Sequence, residues 1–237
     1  MTVVLGSGRG AAYPETVTLY PPAPSIDRRL LLAGGLAGLL PLGACTGAIA
    51  VDDSAGGASK LASAAQKQLG VTKGYDPAYV ALAYPGGDVP RKTGVCADVI
   101  IRAARDGLGL DLQRLIHEDM TAHFDAYPDR WGLKRPDANI DHRRVPNLET
   151  YFTRHGGEVW IAAKKTGGAS FPEPFGVGDI LTWRSDRDAP HIGIVTRGGK
   201  SPLLLHNAGS GAMQHALWPM GFWRAAHGHY RWPESVA

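Results

Sequence analysis

An α+β domain, with its helices first and an antiparallel sheet after them, is the fold class this sequence predicts. Two observations carry that expectation. Apolar residues recur at helical spacing in separate stretches up to Arg154, and the pattern then changes to short apolar and β-branched runs divided by Gly, Pro and Ser. The 237 residues, 44% apolar and 20% charged, suit one globular unit plus a targeting segment, without repeats or low-complexity tracts.

Residues 1–24 are irregular and Pro-rich and read as a leader. Arg28-Arg29 then precede an apolar run from Leu30 to Leu42, shorter than the roughly 20 residues of a membrane-spanning helix. A positive flank, a dozen apolar residues and small residues at the end make a secretory signal. Asp27-Arg28-Arg29-Leu30-Leu31-Leu32 resembles a twin-arginine export motif, and Leu42-Gly43-Ala44-Cys45 resembles a lipobox, in which the cysteine is lipidated. Ala48-Ile49-Ala50 is a rival cleavage site for plain secretion. Both readings place the protein outside the cytoplasm of a bacterium, in the periplasm or cell envelope. In the first, Cys45 is a lipid anchor to the membrane. The expected organisation is a leader and export signal over 1–50, a linker over 51–58 and a single domain over 59–237.

Within the domain, Leu61, Ala65 and Leu69 line one side of a helix over 59–69, with Ser59 as its cap. A short strand is expected over 79–84, and 85–90 is a loop. A helix starts at Cys96 and stops at Asp106-Gly107, and a second spans about 111–124 with Leu112, Leu115, Ile116 and Met120 as its stripe. Residues 127–147 form a long loop, and a helix covers 148–154. Strands are expected at 159–163, 179–184, 191–197, 202–207 and 229–232. Trp218, Trp223 and Trp232 are expected to serve packing.

The chain has two cysteines. With Cys45 in the signal, Cys96 stands alone in the mature body, so it is an inert core residue or a nucleophile and not half of an internal disulfide. A thiol at a helix N-terminus meets the positive end of the dipole and unpaired amides, which lower its pKa and offer oxyanion donors. His191 opens the strand His191-Ile192-Gly193-Ile194-Val195 and is the candidate base. After a turn at Gly198-Gly199 the next strand brings His206 alongside, with Asn207 as the rival orienting group because successive strand residues face opposite sides.

The order of a Cys at a helix start, a Gly178-Asp179-Ile180 strand, His191-Ile192-Gly193-Ile194-Val195 and then Leu204-Leu205-His206 resembles NlpC-type papain-like cell-wall peptidases. The segments Gly94-Val95-Cys96-Ala97-Asp98, Leu115-Ile116-His117-Glu118-Asp119-Met120 and 139–148 are more similar to a YijF-like exported bacterial family of unknown function. The resemblance covers about residues 60–233. It implies a papain-like fold and a cysteine amidase or endopeptidase acting on peptidoglycan peptide, with Cys96, His191 and His206 as its catalytic residues. Three departures bear on substrate: Val95-Cys96-Ala97-Asp98 replaces the family's Asp-Cys-Ser-Gly, Cys96 and His191 stand 95 residues apart, and the insert holds the His117 and His142 motifs.

Substrate-binding candidates follow. The resemblance implies a carbonyl-polarising role for Tyr84. Asp98 is a first-turn acid that suits the helix dipole, or a grip for a substrate amine, and His117 and Asp119 are solvated charge near a helix end, or line the cleft. His142 lies with Arg143 and Arg144 in the long loop, where two arginines can hold a carboxylate bidentately. A site kept only for binding, or acyl transfer through the same residues, are the alternative functions. No metal or other cofactor is expected, since His-Glu-x-x-His and a second thiol at ligand spacing are missing. The formal charge of +3 with no basic stripe argues against nucleic acid, and a monomer is expected.

Overall fold

The computed structural model describes residues 55–162, 171–172, 174–185, 188–217 and 225–232, all within the unit Ala50–Ala237. The export signal, Cys45, residues 51–54, Trp218 and Trp223 lie outside the described residues.

Four helices precede most of the sheet. They are α1 (Ala55–Gln66), α2 (Cys96–Leu108), α3 (Leu112–Ala122) and α4 (Val145–Arg154). Short 3-10 turns cover Phe124–Ala126 and Asp141–Arg143. Two-residue strands β1 (Gly74–Tyr75) and β2 (Thr93–Gly94) pair in parallel. The remaining strands are β3 (Glu158–Ile161), β4 (Ile180–Arg184), β5 (Pro190–Arg197), β6 (Leu203–Asn207), β7 (Ala212–Ala216) and β8 (Ala225–Tyr230). They form one antiparallel sheet in the order β3-β8-β4-β5-β6-β7. The α+β class with helices first is therefore observed.

The α2 helix is the spine. Val99, Ile100, Ile101, Ala103 and Ala104 are buried, and its residues form one core with Leu61, Leu112, Ile116, Leu148 and Phe152. Each fully buried Ile or Leu contributes about 2 kcal/mol. Gly107 does not end α2. A Cβ there would sit 2.7 Å from the Lys60 carbonyl oxygen, so its bare backbone lets α1 and α2 close on each other, and the helix ends at Gly109 in the left-handed conformation. The α1 helix begins at Ala55, ahead of Ser59, because packing against α2 outweighs the poor propensity of Gly56 and Gly57.

The strand expected over 79–84 is absent. Its backbone groups are taken by side chains instead of a partner strand: Gln113 donates to the Ala83 carbonyl (2.9 Å), and Asn139 Oδ1 accepts from the Leu82 amide (2.8 Å). The β7 strand, which lacks β-branched residues, forms because it pairs with β6 along its whole length. The last strand runs over 225–230, not 229–232, and inserts between β3 and β4.

The sheet has two buried faces. Ile180, Ile192, Ile194 and Leu205 pack on the helices. Leu181, Trp183, Val195 and Leu204 alternate with them and form a second cluster with Phe175 and Leu217.

Candidate functional site

The β5–β6 hairpin builds the imidazole half of the site. By strand alternation His191 and His206 share the face of Trp183 and Leu204. Their rings meet, with His191 Nε2 2.9 Å from His206 Nδ1, and both residues are buried. Gly193 permits this: a Cβ there would lie 3.0 Å from the Leu205 carbonyl oxygen and 3.1 Å from His206 Cβ. Trp183 lies across from His191 at 4.6 Å between ring centroids and meets His206 edge-on at 5.5 Å, so its indole shields the pair from water.

Asn207 takes the opposite side. It donates to the carbonyls of Gly94 (2.8 Å) and Gly74 (3.0 Å), and its oxygen accepts from the Gly209 and Gly211 amides. Of the two rivals, His206 is the one that meets His191, and Asn207 fastens β6 to the strands ahead of the thiol.

Cys96 opens α2, as expected, and is a free, buried thiol, 4% exposed. It meets β5 at the amide of Ile192, which packs on the helices, whereas His191, the preceding residue, shares the opposite sheet face with Trp183 and Leu204. The expected acidification by the helix start does not hold. Burial pushes the thiol up to about 11; the Ile192 amide, the Tyr75 hydroxyl and the Ala97 amide pull the other way without offsetting it, and nearby Asp98 adds to the rise. The thiol is therefore protonated at neutral pH.

The tyrosine against the thiol is Tyr75, which sequence reasoning missed. Burial and the neighbouring Cys96 raise its phenol well above the ordinary range. The signal was weak, because β1 is two residues long and has no periodicity to read. Tyr84 is exposed and packs edge-on against His117, ring centroids 5.0 Å apart, beside α3.

The remaining candidates are held by the fold itself. Asp98 receives both Arg143 Nε and Nη2 at 2.9 Å and the Val95 amide at 2.6 Å, so its oxygens are occupied and do not await an amine. Arg143 grips a carboxylate bidentately, as two arginines in that loop suggested, but the carboxylate is internal. Arg143 also reaches the Asp76 and Ala78 carbonyls (3.3 and 3.4 Å), holding the Tyr75 segment to the start of α2. His142 is buried in the same turn, and desolvation pushes it down to about 4, which keeps it neutral. Asp119 accepts from Tyr127 (2.6 Å) and Arg154 (2.8 Å); burial opposes its charge, but these bonds outweigh it and hold it at about 2. Among the described residues no three His, Cys, Asp or Glu side chains converge at metal-binding geometry, and no helix is long and apolar enough to cross a membrane.

Comparison with known proteins adds the family. Residues 62–232 match the family model described as a domain of unknown function, DUF1287. The chain is 49% identical over 175 residues to the uncharacterized protein YijF of Escherichia coli (strain K12), a match covering 73% of this chain and 80% of that one.

Proposed function

The chain belongs to the DUF1287 family of domains of unknown function, and within it we propose a papain-like, NlpC-related cysteine hydrolase that cleaves an amide bond of peptidoglycan peptide in the cell envelope. The observation that supports this reading is the Cys96 thiol at the start of α2 against the amide of Ile192, the residue after His191 in β5, together with the engagement of His191 Nε2 by His206. In the proposed reaction the neutral thiol gives its proton to the His191 imidazole as sulfur adds to the amide carbonyl. The Tyr75 hydroxyl and the amides at the start of α2 are the donors available to the oxyanion. Collapse of the adduct breaks the C–N bond, the amine leaves with the proton from His191, and water then hydrolyses the thioester. His206 holds the His191 ring, and Trp183 keeps water from the pair. The Arg28-Arg29 signal and Cys45 support export and lipid anchoring.

A second reading, a binder of wall peptide without chemistry, is favoured by the burial of the thiol and its raised pKa. One experiment separates the two: purified peptidoglycan is incubated with the wild type and Cys96→Ala, released muropeptides are measured by mass spectrometry, and bound protein is measured by pelleting. The hydrolase predicts new fragments that fall at least about a thousandfold in the variant. Binding by both proteins with no fragments from either establishes the binder.

A further inference from the structure

The insert between α3 and α4 contains a cavity of about 410 Å³, within the size range of small-ligand pockets. Met120, Phe124 and Trp131 supply its apolar and aromatic wall. Its charged lining is three carboxylates, Asp125, Asp129 and Asp141, against one cation, Arg144. Arg144 is already committed: it donates to Asp141 at 2.9 Å, and its guanidinium lies 4.1 Å from the centre of the Trp131 ring. Asp125 and Asp129 are exposed at the mouth and have no ion-pair partner among the described residues. The pocket therefore combines two carboxylates that have no ion-pair partner among the described residues with an aromatic wall, one ring of which already holds the Arg144 guanidinium. Its back wall is the turn Asp141–Arg143 followed by Arg144, and Arg143 in that turn clamps Asp98 in the first turn of α2.

We infer that this pocket binds small molecules or peptide side chains carrying a primary ammonium group on an aliphatic stem. The stem packs on Met120, Phe124 and Trp131, and the ammonium sits between Asp125 and Asp129. This inference does not rest on the hydrolase reading, because binding is measured without turnover, so the two fail separately.

The test is isothermal titration of the full chain with cadaverine, with its neutral N,N′-diacetyl derivative, and with N-acetylglucosamine as a saccharide probe. The expected result is cadaverine binding at least about tenfold tighter than either neutral probe, weakened by added salt, and reduced about tenfold by the double variant Asp125→Asn/Asp129→Asn. Both carboxylates are exposed, so the variant keeps its fold, and the comparison of probes on the wild type needs no variant. Equal or tighter binding of a neutral probe, no heat from cadaverine up to about 10 mM, or unchanged affinity in the double variant overturns the assignment.

Discussion

The two halves of the candidate site are built by opposite means. The imidazole half comes from consecutive antiparallel strands, where His191, His206 and Trp183 meet as cross-strand neighbours within 24 positions of one another. The thiol half is assembled from distant pieces. Tyr75 comes from β1, Cys96 and Asp98 from α2, and Arg143 from a 3-10 turn, joined by polar bonds that span 45 residues for Arg143 to Asp98 and 113 for Asn207 to Gly94. Local pairing places the first half cheaply in entropy, whereas the second depends on buried polar groups that each need their partner.

The largest effect is expected where that dependence is greatest. Arg143→Met leaves Asp98 buried without its partner and releases the segment carrying Tyr75. Breaking such a pair costs about 3–5 kcal/mol, to be read from urea unfolding. Replacing both partners, as Asp98→Leu/Arg143→Met, should recover much of that loss, short of the bond to the Val95 amide. A single variant no less stable than the wild type would show that the thiol half does not rely on this pair.

The same contrast decides what could be read from the chain. Strand alternation and the Gly198-Gly199 turn brought the hairpin into view but left His206 and Asn207 as rivals; the register irregularity between Val195 and Arg197, which a period of two does not announce, gives the place beside His191 to His206. The start of α2 at Cys96 was legible, since apolar spacing is a local property. The position of Tyr75 was not, because a two-residue parallel pairing has no pattern. Nor was the tie of Asp98 to Arg143, since nothing in either neighbourhood names the other. Gln113 and Asn139, reaching back to 82–83, likewise turned an expected strand into a side-chain-pinned segment. Burial of the thiol is a tertiary outcome, and so the dipole argument for a lowered pKa fails where desolvation is larger.

The raised thiol supplies the next test. With a pKa pushed up from 9.0 to about 11, the thiolate fraction at pH 7 is about 100-fold below that of a free cysteine. The iodoacetamide rate at Cys96 should be at least that much slower and should rise about tenfold per pH unit until about pH 11. Tyr75→Phe removes a hydroxyl that favours the thiolate and should slow alkylation further. A plateau between about pH 6 and 7 would instead mean a resting thiolate–imidazolium pair.

The smallest effect, and the sharpest contrast, is between adjacent residues on β6. Asn207→Ala removes the bonds to the Gly74 and Gly94 carbonyls and the Gly209 and Gly211 amides, leaving buried polar groups unpaired, for a loss of about 2–3 kcal/mol in urea unfolding. His206→Gln keeps a polar group of similar size beside His191 and should cost less than about 1.5 kcal/mol, while lowering any hydrolysis that depends on the His191 orientation. The order reverses only if the imidazole pair, not Asn207, fastens the hairpin to the thiol half. In that event His206→Gln is the more destabilised protein, and the division of labour between the two faces of β6 is wrong.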